Sequence, residues 1–278
     1  MKQRILALTV YFLRSLALSL NGLIFLILTL AYWLVMFPPE QRTPDASYYI
    51  LVLAAFGVAA TFFSTLALAS RANQAAHAPW IARLPSRVEY LTAVLLSTLL
   101  FAISLQLLLA LLSLLRGPNL SPGQLLLIPP VWLALNVLTA VIALHATDFV
   151  TAGWSRVLLF GFVAICLLGQ GWNSNSNLNG WLIQRLSNLN RTASGEGWLF
   201  IVNPINNLIF WLQQDGPDNL SRLFSLPFWP FRAIADAVVA GYFDPAQAMA
   251  PAVLLLYATL LIIFAADLFA NKDLDLTE

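Results

Sequence analysis

Charge is what this chain has least of. Asp, Glu, Lys and Arg make up 10% of its 278 residues, whereas 60% are hydrophobic. A water-soluble domain carries about 25% charged residues, and this chain cannot cover a surface of that kind. A soluble globular class is therefore excluded, and lipid is the solvent for most of the chain. Cysteine occurs once, at Cys166 inside an apolar segment, which leaves no disulfide framework and no cysteine metal site. The two histidines, His77 and His145, have no partner at metal-ligand spacing.

Catalytic motifs are missing as well. There is no H-E-x-x-H, no G-x-S-x-G and no pair of acids within an apolar run, so neither catalytic residues nor a metal site are expected and the chain does not read as an enzyme. Ser155, in "TAGWSR", sits where a helix starts and not in a nucleophile elbow. No G-x-x-x-x-G-K-[ST] is present, which excludes an ATPase within the chain. The middles of the apolar runs hold no ionised side chain, and such groups are the usual mark of ion-coupled transport. A net charge of +1 gives no electrostatic footprint for nucleic acid.

What is present is a series of apolar runs, at 18–37, 48–70, 90–115, 124–146, 155–172 and 249–270. Each approaches the 17–25 residues that cross a bilayer as a helix. The fifth is the weakest, being short and interrupted by Gly161 and Gly169. If the N-terminus is inside, Lys2, Arg4, Arg14, Arg71, Arg83, Arg87, Arg156 and Lys272 collect on one face. Only Arg42 and Arg116 fall in the short loops of the other. The positive-inside rule then places both termini in the cytoplasm of a multi-pass cell-membrane (inner-membrane) protein.

Two further segments have their own character. Residues 1–17 mix Lys2, Arg4 and Arg14 with apolar side chains, as suits a helix lying in the cytoplasmic interface of the lipid bilayer; a long tilted first span is the alternative. The first apolar run reads as a retained element and not as a cleaved signal. Residues 173–248 are rich in aromatics and poor in charge, with Leu178, Trp181, Leu182, Leu186 and Leu189 at helical spacing. Their segments read as too short and too interrupted to span, and as interfacial or re-entrant helices instead; an independent soluble domain of about 75 residues is the alternative, against which the low charge speaks. The fold expected is thus an all-α integral membrane protein. It has six transmembrane helices, an N-terminal interfacial helix, and short interfacial or re-entrant helices in the outer loop before helix six. The whole of 1–278 forms a single transmembrane domain, with a cytoplasmic loop at 71–89.

Uncharged polar residues fall at mid-depth: Thr61 and Ser64 in the second run, Gln106 in the third, Asn136 in the fourth. They serve either as hydrogen bonds between helices or as contacts along a transport path. The loop at 71–89 ends in "WIARLPSRVEY", a basic elbow set against the third run. Pro85 disfavours helix at Leu84, and Ser86 can cap a helix that starts at Arg87. By spacing alone, the arginines either enforce topology or form a lever whose far end is a spanning helix.

The string "LPSRVEYLTAVLLSTLL", Leu84 to Leu100, resembles the junction between the second and third spans of ABC-2-type transporter permeases. The run from "LFSLPFWPFRAIADAVVAGYF" to "FAADLFANKDL" is similar to the C-terminal third of that family. "SRANQAAHAPW" stands where many members carry an acidic residue and Gly-Thr. The resemblance implies a permease subunit, most often an exporter. A separate cytoplasmic ATPase binding ATP and Mg would drive it, and a second permease, identical or related, would pair with it. It also implies that Trp80, Arg83, Leu84, Pro85, Ser86, Arg87 and Glu89 contact the ATPase. A non-catalytic structural subunit of a larger membrane complex is the alternative.

Overall fold

A computed structural model of the chain describes residues 2–38, 45–74, 77, 81, 83–115, 117–151 and 153–271. Every regular element among them is helical. In chain order the α-helices are α1 (Lys2–Ala17), α2 (Leu20–Met36), α3 (Ala46–Ala72), α4 (Arg87–Leu114), α5 (Pro122–His145) and α6 (Gly153–Gly169). They continue as α7 (Asn177–Gly195), α8 (Leu199–Gln213), α9 (Gly216–Ser225), α10 (Trp229–Ala240) and α11 (Ala250–Asn271).

Local chemistry sets the helix starts. Ser19, Asp45, Ser86, Ser121 and Ser176 each hold extended backbone, and each side chain accepts a backbone N–H of the first turn. This satisfies donors that the helix itself cannot, worth about 1 kcal/mol per cap. Ser121 and Gln124 complete a reciprocal capping box. Between α1 and α2 the chain bends by 66°. Gly22 permits that bend, because a Cβ there would overlap the Leu16 and Ala17 carbonyls.

Contacts divide the chain into two compact units, Met1–Arg156 with Pro230–Glu278, and Val157–Trp229. In the first, α4 is the hub, packing on α1, α2, α3, α5 and α11. Helix α5 packs on α3 and α11 in turn. Among the residues of α4, Ala93, Val94, Ala102 and Leu109 are wholly buried. By contrast α2 buries only Gly22 and Thr29 and exposes Leu20, Leu23, Ile27, Leu28, Leu34 and Val35. Apolar surface of that extent is unstable against water and is stable against acyl chains or a partner.

Five helical runs are long and apolar enough to cross a membrane, or six if the bent α1–α2 pair counts as one span. The chain is therefore an all-helical protein whose apolar helices suit a multi-pass membrane protein. Two details differ from the sequence expectation. The fifth apolar run is a 17-residue helix, α6, and falls short of the other spans. Conversely Gly216–Ala240, within the stretch expected to be too interrupted to span, is long and apolar enough to do so. Three prolines fall in this run, Pro217, Pro227 and Pro230. Pro217 and Pro227 lie in the first turn of their helices, and Pro230 is the second residue of α10. A missing N–H costs nothing at such positions.

The second unit has its own polar staples. Buried Asn179 donates through Nδ2 to Leu212 O at 2.9 Å and Ser174 O at 3.0 Å, fastening α7 to the end of α8. Ser174 donates from its N–H and its hydroxyl to the Asp218 carboxylate, at 3.0 and 3.1 Å. The leucine–tryptophan stripe of α7 is largely uncovered, with Leu178, Trp181 and Leu189 each more than half exposed.

Candidate functional site

The elbow is built around the start of α4. Ser86 Oγ accepts from Val88 N at 3.3 Å, and helix begins at Arg87. Leu84 N donates to Ile81 O at 3.3 Å in the tight turn before it. Ile81 is buried and Leu84 packs on the core, whereas Arg83 and Pro85 face outward. Trp80 lies outside the described residues, as do Arg42, Arg116 and Lys272, which entered the orientation argument.

The elbow's two other charges turn inward. Arg87 Nη1 donates to Ala270 O at 3.3 Å, near the C-terminus of α11, where a cation also meets the negative end of the helix dipole. Glu89 is 5% exposed, and its Oε2 lies 4.0 Å from Arg4 Nη1 on α1. That oxygen has no hydrogen bond. A carboxylate so placed depends on Arg4 for its compensation.

Immediately beneath sits an aromatic knot that the sequence does not announce. Phe12, Tyr90, Phe149 and Phe269 are each no more than 2% exposed. The Tyr90 ring lies 5.3 Å from Phe12, 6.0 Å from Phe149 and 6.5 Å from Phe269, while Phe149 and Phe269 are 4.7 Å apart. Tyr90 OH donates to Ala72 O at 3.0 Å. One side chain at the first turn of α4 thereby touches α1, the end of α3, the segment after α5 and α11. The signal that could have found it is Tyr90 itself, a phenol one residue from Glu89 at the start of a long apolar helix.

Of the mid-depth polar residues, the structure unites two. Asn136 Nδ2 donates to Gln106 Oε1 at 2.7 Å, and Gln106 Nε2 donates to Leu53 O at 2.9 Å. Helices α5, α4 and α3 are joined by this relay, and Gln106 and Asn136 are each 1% exposed. Gly57 makes room for it, since a Cβ there would overlap the Gln106 amide. Thr61 and Ser64 are not part of the relay. Ser64 Oγ donates to Thr61 O at 3.2 Å within its own helix, and Thr61 Oγ1 is buried without a partner. His145 is elsewhere again, about 13 Å further along α5 than Asn136. Its Nε2 lies 3.0 Å from Leu261 O, with its ring stacked on Phe264. Among the described residues no His, Cys, Asp and Glu cluster could hold a metal ion.

The relay predicts a modest coupling. Gln106→Leu and Asn136→Leu together are expected to cost less than the sum of the two single changes, by about 0.5–1.5 kcal/mol. Thermal unfolding of the four proteins in one detergent measures it; strict additivity would show that the relay carries no energy.

Comparison of the chain with known protein families, with curated proteins and with solved structures finds no match.

Proposed function

We propose that the chain is the membrane-spanning permease subunit of an ATP-binding-cassette transporter of the ABC-2 type, an exporter driven by a separate cytoplasmic ATPase. The ATP and Mg sites belong to that partner, and a second permease, identical or related, completes the pathway. Both termini lie in the cytoplasm of the cell (inner) membrane, with α1 in the interface. The observation that carries the proposal is the pairing of an outward-facing elbow with the Tyr90 knot. A push on Arg83 or Pro85 arrives at the capped start of α4, the helix that packs on five others. Through Tyr90 it reaches α1, α3 and α11 in one step. An ATPase can shift such a protein between two states only by contacting them differently, and Arg83 is the exposed charge at the elbow able to make that difference.

Arg83→Glu is expected to reduce co-purification of an ATPase from native membranes by about tenfold or more, the scale on which rim charge reversals act. Thermal stability should be unchanged, because Arg83 faces outward. Recovery of a stoichiometric ATPase with the variant would overturn the coupling role.

The second reading, a structural subunit of a larger membrane assembly, is favoured by one observation. Arg87 and Glu89 are engaged within the chain, so part of the elbow's charge serves to hold α11 and α1 against α4. In that case Arg83→Glu leaves the set of co-purifying proteins intact, and that set contains no ATPase.

A further inference from the structure

At the bend between α1 and α2 two hollows meet. The first is an open groove of about 760 Å³ between α1 and the end of α3. Tyr11, Arg14, Ser15, Ser19 and Arg71 bring polar atoms to it, and no carboxylate lines it. Arg71 is held in place, its Nη1 donating to Ser15 O at 3.3 Å, which leaves four of its five N–H groups for other partners. Among the described residues neither Arg14 nor Arg71 pairs with an acid. The second hollow, about 360 Å³, continues past the bend along α2 and is walled by Leu20, Gly22, Leu23 and Leu26. Leu18 and Ser19 line both. A dicationic, hydroxyl-bearing hollow and an apolar one thus share Leu18 and Ser19 in their walls.

We propose that this composite groove binds one anionic phospholipid, its phosphate between Arg14 and Arg71 and an acyl chain laid along α2. Two guanidiniums from different helices suit a phosphate, whose oxygens accept forked N–H pairs. Basic pockets between membrane helices recognise acidic headgroups by the same chemistry. The apolar extension selects a lipid over a soluble anion. A free phosphate would leave Leu20 and Leu23, at 71% and 52% exposure, uncovered. The site rests on the membrane reading alone and needs no ATPase, so its failure and that of the permease proposal are separate results.

The test is a lipid titration on the full-length chain purified in a neutral detergent, following thermal stabilisation. Dioleoyl-phosphatidylglycerol is compared with dioleoyl-phosphatidylcholine and with inorganic phosphate. Phosphatidylglycerol is expected to stabilise the protein saturably, phosphatidylcholine and phosphate much less. Arg14→Gln and Arg71→Gln should each weaken the phosphatidylglycerol response about fivefold, and the pair about 20-fold. Arg14 is exposed and makes no side-chain hydrogen bond among the described residues, so its variant keeps the test valid if Arg71→Gln unfolds. Lys2→Gln, on the same helix but outside the groove, should leave the response unchanged. Three outcomes overturn the proposal. Equal stabilisation by phosphatidylcholine reduces the site to apolar contact. Equal stabilisation by inorganic phosphate makes it a soluble-anion site. An equal loss from Lys2→Gln makes the effect one of diffuse surface charge.

Discussion

Gly57→Ala is expected to destabilise the protein, although alanine favours helix over glycine by about 1 kcal/mol. The new methyl would occupy the space of the Gln106 amide. A free glutamine would simply swing aside, but this one is held at both ends, donating to Leu53 O and accepting from Asn136 Nδ2. Moving it leaves a carbonyl and an amide buried and unpaired, at about 1–3 kcal/mol each. The polar loss outweighs the helix gain by about 2–3 kcal/mol, a fall in melting temperature on the order of 5–10 °C. Gly57→Ala combined with Gln106→Ala removes the overlap and is expected to recover part of the loss. Thermal unfolding in detergent decides it. If the single variant were more stable than the parent, the close approach at Gly57 would be wrong.

Glu89→Arg has the second large effect. The side chain is buried and its compensating charge is Arg4, whose own side chain is half exposed. Reversal places a cation in that position facing another cation, and uncompensated buried charge costs about 3–5 kcal/mol. Arg4→Glu should also destabilise, because it leaves the Glu89 carboxylate buried with no compensating charge. The exchange Arg4→Glu with Glu89→Arg restores opposite signs and is expected to return more than half of the lost stability. The same variants report on α1. When the pair is broken, a cysteine placed at the exposed position Leu6 should become easier to label with a membrane-impermeant maleimide. Unchanged labelling with lost stability would separate α1 docking from the ion pair.

The helical class and most helix positions were legible in composition and run length, because apolar stretches of membrane-crossing length admit few other structures. The start of α4 was legible in finer detail. Pro85 and Ser86 act on the backbone beside them, and Ser86 caps the helix at Arg87. What could not be read was any property that depends on rotation of one helix against another. Gln106 and Asn136 stood at similar depth in the sequence, as did Thr61 and Ser64, yet only the first two meet. Arg14 and Arg71 are far apart in the chain and share a groove because α1 packs on α4 and Arg71, at the end of α3, bonds to Ser15 O. The helical run at 216–240 was not legible because its apolar residues are interspersed with Asp218, Arg222, Arg232 and Asp236, which weakens the hydropathy of the run relative to the other spans.

The tyrosines along α3 and α4 carry a mechanical consequence. Near one end of this antiparallel pair Tyr49 OH donates to Ala110 O at 3.2 Å, and near the other Tyr90 OH donates to Ala72 O at 3.0 Å. The two rivets are about 30–35 Å apart along the helices, at about 1.5 Å of rise per residue. A ladder pinned at both ends resists shear. Sliding α3 past α4 by one turn would pull both phenols off their carbonyls at once, and both phenols are buried in the protein. Slip of the pair costs both bonds, whereas rocking as a single beam costs neither. A motion that leaves both rivets intact must therefore carry α3 and α4 together.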